Sequence, residues 1–260
     1  LVPGGNYYTH EAFAEYIREA KPYAVTFAFE AQDEFEYVIN LICDFVGSIH
    51  LCAKHNKVFD FSPLEKCTEL DAIMMYWNTK QATLWDVKKN TKLRSFEMTD
   101  YYSISDMSVF RGSSVEMLRF FGCNSCSSFV SRMHVDDFSF VLDMPKLTEL
   151  RFDIVKDEPS EYYLDILSKL QGLKIFYTPD SFFTFQQFAW LKAKLPNVEK
   201  GLDCVFTGSA CDGAFYSIIG RRTPKSLHDA TKAEKYQNRY DALVAKYQTR
   251  ENPPSDDEKD

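Results

Sequence analysis

Between Ser113 and Ser125 the apolar positions Val115, Leu118, Phe120 and Cys123 fall at offsets of zero, three, five and eight. A helix stripe would recur at three and four and a strand would alternate in twos, so neither template covers the whole window. The spacing returns in Leu70, Ile73, Met75 and Asn78, in Leu93, Phe96, Met98 and Tyr101, and in Leu147, Leu150, Phe152 and Val155. Weaker copies are Leu173, Phe176, Thr178 and Ser181, then Val198 with Gly201. Successive starts are separated by 23, 22, 32, 26 and 25 residues. A second signal stands six and three residues before most copies: Leu64 and Cys67, Val87 and Asn90, Val141 and Met144, Leu167 and Leu170. Before Val198 the pair is Lys192 and Leu195, so its first apolar member is lost.

Each copy predicts a short strand, because the alternating middle pair turns its side chains to one face. Apolar residues on either side belong to the bends that enter and leave it. Asn78 and Cys123 fall inside the following turn, where a polar group can meet backbone left unpaired by the bend. Tyr101, Val155 and Ser181 depart from that pattern and predict irregular turns. The long step carries its extra residues in 124–140, which predicts a loop or short hairpin.

The two ends read differently. At the front, Thr9 can cap a helix bearing Phe13, Tyr16, Ile17 and Ala20; residues 23–30 alternate like a strand and 33–45 are helical by pattern. At the back, 213–220 reads as a strand, Thr231 with Glu234 reads as a capping box, and Ala233, Tyr236, Tyr240, Leu243 and Tyr247 form one stripe. Residues 250–260 are polar and proline-broken, which predicts a disordered tail.

The recurring positions resemble the leucine-rich repeat, L-x-x-L-x-L-x-x-N/C-x-L with periods of about 20 to 29 residues. The resemblance covers 57–206 and implies an α/β leucine-rich-repeat solenoid with a parallel inner sheet. Residues 1–56 are then an N-terminal helical cap, 207–249 a strand-plus-helix C-terminal cap, and 250–260 the tail. The closing strand and helix are similar to the extension after the repeats of some bacterial leucine-rich-repeat proteins. The fold class implies binding through the concave face. The positions assigned to that face include Met74, Tyr76, Trp77, Glu97, Met117, Arg119, Phe121, Arg151, Asp153 and Tyr177. Arg119 and Arg151 are expected on neighbouring strands, with Glu97 and Asp153 close to both.

Composition narrows the function. The 260 residues are 45% apolar, 26% charged and 15% aromatic, which is globular, with one core or two. A net charge of −8 disfavours a general nucleic-acid binder. No apolar run approaches the roughly 18 residues of a membrane span. Residues 1–10 lack the basic and apolar regions of a signal peptide, although without a Met a removed secretion signal remains open. Seven scattered cysteines suggest free thiols and a cytoplasmic location.

Chemistry is thinly signalled. Cys123 and Cys126 form a C-x-x-C with His134 downstream but lack a second pair, so no metal site is assigned. His50, Cys52 and His55 lie close in sequence, the pattern of a nucleophile and base that also arises by chance. Residues 220–225, with Arg221, Arg222 and Lys225, lack the glycine spacing of a phosphate loop and read as a solvated turn. No cofactor and no catalytic residue are assigned. The expected function is non-catalytic recognition of a protein, with an acidic contact for the arginines and no nucleic-acid or membrane partner. The alternatives are an effector acting by binding a host protein, or an enzyme or metal protein using Cys and His.

Overall fold

The computed structural model describes residues 10–54, 56–122, 132–210, 213–220 and 229–258. Its class is mixed α/β, and it divides into two compact units. The first runs to Leu147 and includes Asp153–Val155; the second comprises Thr148–Phe152 and the chain from Lys156. The division falls inside the stretch 57–206, which the sequence pattern treats as continuous.

Unit 1 begins with α1 (His10–Ala20), β1 (Ala24–Phe29), α2 (Gln32–Ile42) and β2 (Ser48–Ala53). Then come β3 (Ala72–Tyr76), β4 (Ser95–Thr99) and β5 (Met117–Phe121). These five strands pair in parallel and in chain order. Their register aligns Val25, Ile49, Ile73, Phe96 and Leu118 in one row, and Phe27, Leu51, Met75, Met98 and Phe120 in the next. Both rows are buried, so the three-then-two spacing places alternate side chains in the core.

Two of these strands fall in 1–56, where the sequence pattern predicts a cap and a single strand. Both follow the repeat spacing at 24-residue intervals, from Val25 to Ile49 to Ile73 in register. Pro22 opens the first copy, and the turn positions corresponding to Asn78 carry Glu30 and Lys54. Those two pair with each other at 2.5 Å instead of bonding the turn backbone. In α1, Ala14 and Ile17 are buried while Tyr16 is exposed, so the helix is rotated from the predicted stripe.

The later crossovers of unit 1 are 3₁₀ turns at Ser62–Lys66, Val87–Lys89, Ser108–Phe110 and Phe138–Asp143. Asp86 and Asp137 open two of them by accepting backbone amides of Lys88 (3.3 Å) and Ser139 (2.9 Å). An aromatic chain fills the space behind the strands: Phe35–Phe61 (5.5 Å between centroids), Phe61–Trp85 (6.4 Å), Trp85–Phe96 (5.8 Å), Phe96–Phe110 (4.8 Å) and Phe110–Phe140 (6.1 Å). The turn residues expected to meet backbone do so at Asn78, which bonds four backbone groups. Asn90 does the same on the opposite bend, donating to the Leu64 and Cys67 carbonyls at 2.8 and 2.9 Å. Of the 124–140 stretch, 124–131 lie outside the described residues; Met133 bridges Ile154 in parallel, and 138–143 form the last 3₁₀ turn.

Unit 2 carries β6 (Glu149–Phe152), α3 (Ser160–Leu167), β7 (Ile175–Tyr177) and α4 (Phe185–Lys194). The hairpin β8 (Val205–Ala210) and β9 (Gly213–Ile218) and the helix α5 (Ala230–Tyr247) follow. β6 and β7 are parallel, with Leu150 opposite Phe176. Gly201 ends the weakest copy at φ +96°, where a Cβ would lie 1.5 Å from the Phe176 carbonyl oxygen; only glycine fits there. Tyr240 on α5 stacks edge-on to Phe185 (5.3 Å) and donates to the Leu202 carbonyl (3.0 Å).

Two expectations for this end are corrected. Asp229, not a Thr231–Glu234 box, caps α5, accepting the amides of Thr231 (3.0 Å) and Lys232 (3.3 Å). Residues 250–258 are not a loose tail: Pro254 is buried and the segment bonds to α3 and α4, because side chains there supply the partners that its own polarity needs. Thr9 and the basic run 221–225 lie outside the described residues.

Candidate functional site

The face opposite the core carries three rows in unit 1. The middle row is Thr26, His50, Met74, Glu97 and Arg119, set by strand register. Beside it run Ala28, Cys52, Tyr76, Thr99 and Phe121 on one side and Ala24, Ser48, Ala72, Ser95 and Met117 on the other. Neighbours in a row are about 4.8 Å apart, so their side chains form one surface. Met74 is 37% exposed. Tyr76, Met117 and Phe121 are half-buried, with His50 edge-on to Tyr76 at 6.5 Å.

Trp77 does not belong to the alternating rows. It follows β3 at φ +63°, and Asp100 occupies the same place after β4 at φ +64°. Each donates its amide to the next strand, Trp77 to the Thr99 carbonyl (2.9 Å) and Asp100 to the Phe121 carbonyl (3.0 Å). The left-handed bend keeps the ladder bond while leaving the Trp77 side chain 52% exposed at the strand end. Alternation alone could not have found this placement.

The arginines are each paired within their own unit. Arg119 donates to Glu97 at 3.2 Å and also reaches the Met117 sulfur at 3.8 Å. In unit 2, Arg151 donates to the buried Glu149 at 2.5 Å and lies 4.4 Å from the Tyr177 ring centre. These contacts neutralise both guanidinium groups internally, so the charges do not by themselves require an acidic partner. Asp153, expected to soften an arginine pair, instead meets Arg132 at 2.9 Å. Its carboxyl is pushed up by burial, against the lowering effect of Arg132.

Among the described residues, the four thiols are shifted opposite to the lowered pKa that a nucleophile needs. Burial pushes Cys67 and Cys204 up to about 12, and raises Cys43 and Cys52 above the ordinary thiol value. His50 and Cys52 share a face of β2; His55, Cys123 and Cys126 lie outside the described residues, and His134 is exposed. Among the described residues no group of three His, Cys, Asp or Glu side chains could hold a metal ion. No described helix is long and apolar enough to cross a membrane.

Sequence reading missed a charged trough of about 360 Å³ at the strand entrances, lined by Glu69, Asp71, Lys92, Arg94, Glu116 and Lys146 with small polar residues. Its charges occupy equivalent repeat positions, a signal that alternation in sign along the period could have revealed. Lys92 meets Glu69 at 2.6 Å and Arg94 meets Asp71 at 2.5 Å, so much of the charge is already paired.

No family model matches the chain, and no curated protein matches it. The residues themselves therefore carry the functional argument.

Proposed function

We propose that unit 1 is a leucine-rich-repeat solenoid whose outward sheet face recognises a protein without catalysing a reaction. The observation that carries the reading is the in-register patch of Met74, Tyr76, Met117 and Phe121 around the Glu97–Arg119 pair, with exposed Trp77 at its edge. Aromatic residues, Met and Arg are the types enriched at protein interfaces. The paired Glu97 and Arg119 supply direction while the apolar residues supply area. Repeat spacing, parallel in-register strands and the Asn78 turn bonds support the repeat assignment. Arg151 and Tyr177 form a separate patch on unit 2, held by their own contact. A cytoplasmic location accompanies this reading, supported by the free thiols of Cys43, Cys52, Cys67 and Cys204.

Affinity capture from source lysate tests the proposal, using the native chain, Met74→Glu and Phe121→Glu, each checked for an unchanged melting temperature. A protein retained by the native chain should be lost by both variants, because loss of a hot-spot contact costs about 2 kcal/mol or more, roughly thirtyfold in affinity. Capture of the same proteins by folded variants would overturn the assignment of this face.

A further inference from the structure

Residues 250–258 have no apolar stripe, yet unit 2 holds them at several points. Trp190 Nε1 donates to the Arg250 carbonyl at 3.2 Å. Gln187 Nε2 donates to the Pro254 carbonyl at 3.0 Å and to Asp256 Oδ1 at 3.1 Å. The Ser160 hydroxyl donates to the same carboxylate oxygen at 2.5 Å, and the Lys156 ammonium lies 3.5 Å from it. Ser160 and Gln187 are both 0% exposed.

That arrangement has the properties of a receptor. Buried polar groups require partners, and the hydroxyl and amide hydrogens here find them on one carboxylate and one carbonyl from far along the chain. The other end of Gln187 is committed, since its Oε1 accepts the Thr184 amide at 2.9 Å; this fixes the donating end toward the segment. Ser160 opens α3 and Gln187 lies in the first turn of α4, so both helix dipoles favour an anion at this point. Lys156 is held 5.7 Å from the ring centres of both Phe182 and Phe183, leaving its charge directed at the same place.

We propose that Lys156, Ser160, Gln187 and Trp190 form a recognition site for an extended, acidic, proline-bearing peptide, and that residues 250–258 occupy it in cis as a replaceable ligand. The features read are the carbonyl and buried ring of Pro254 and the carboxylate two residues on. Asp256 is exposed like Glu251, Asn252, Ser255 and Asp257, and its contacts to Ser160, Gln187 and Lys156 set it apart from them. The segment's other strong contact is internal, with Arg250 bonding both carboxylate oxygens of Glu258 at 2.6 and 2.7 Å. A free peptide with the same proline and carboxylate remakes the Gln187, Ser160 and Lys156 contacts that displacement breaks. A free peptide competes with a tethered occupant whose effective concentration is on the order of millimolar.

The full chain tests this through the indole N–H resonances of its three tryptophans, with Trp190 assigned by Trp190→Phe. The probe is a synthetic peptide with the sequence of residues 252–258. It should shift the Trp190 signal progressively, reaching half-effect at a few millimolar, while Trp77 and Trp85 stay fixed. A peptide with alanine replacing the aspartate equivalent to Asp256 should leave all three unmoved. In the Asp256→Ala chain the native peptide should act at about tenfold lower concentration, because the cis occupant is weakened. The proposal is overturned if Trp190 does not respond to about 10 mM native peptide, or responds equally to the alanine peptide. The native-chain titration decides the matter even if Asp256→Ala fails to fold.

Discussion

The Asn78 carboxamide donates to the Lys57 carbonyl across 2.9 Å, joining two successive turns of unit 1. It also donates to the Lys54 carbonyl at 3.3 Å and accepts the Lys80 and Gln81 amides at 2.9 Å each. Replacing it strands four backbone groups, and a buried unsatisfied group costs about 1–3 kcal/mol. Asn78→Ala should therefore lower the urea midpoint clearly. Asn78→Asp should lower it too, since a carboxylate keeps the acceptor but faces two carbonyls. Equilibrium denaturation measures both.

The next repeat puts Tyr101 in the same place, buried, with a hydroxyl that has no hydrogen-bond partner among the described residues. Burial raises that hydroxyl's pKa well above the ordinary tyrosine value. Removing an unpaired buried oxygen without changing the ring should help. Tyr101→Phe is expected to raise stability by about 1 kcal/mol, read as a higher urea midpoint at unchanged slope.

Adjacent residues test the strand phase. Phe120 is 1% exposed and packs near Phe110 and Phe140, whereas Arg119 points to the opposite face. Phe120→Ala should cost about 3–5 kcal/mol. Arg119→Ala should cost clearly less than Phe120→Ala, because Arg119 lies on the outward face and gives up its ion pair with Glu97 rather than core volume. Comparable melting-temperature losses would contradict the register.

Much of the strand arrangement was legible because a spacing of three, two and three fixes which side chains are buried. Leu118 and Phe120 alternate with Arg119 as their order demands. The alternation of 23–30 marks its strand, but β2 escaped detection and neither was assigned to the recurring spacing, because Glu30 and Lys54 replace the turn residue and α2 separates them. Trp77 was misplaced for a different reason: left-handed backbone is written in no single residue type when the residue is not glycine. The site in unit 2 was not legible either. It joins Ser160 and Gln187 to Asp256, residues whose separation in sequence hides their contact and whose polar composition suggests disorder.

One acidic side chain predicts a pH effect of definite sign. Burial raises the Asp180 carboxyl above its ordinary value. The folded state then binds its proton more tightly than the unfolded chain, so this group's contribution to stability is best below the unfolded value near 3.9 and falls as pH rises through the folded one. Asp180→Asn should raise the melting temperature at pH 7 relative to the native chain and converge with it near pH 3. Thermal unfolding across that range supplies the comparison.

Site-specific photo-crosslinking tests the recognition face most directly. A benzophenone amino acid replaces Met74, Phe121 or, as a control on the 3₁₀ row, the exposed Leu142. The account predicts that positions 74 and 121 yield adducts with the same protein from source lysate and that position 142 does not. An adduct formed from position 142 with that protein, and from neither 74 nor 121, would contradict it.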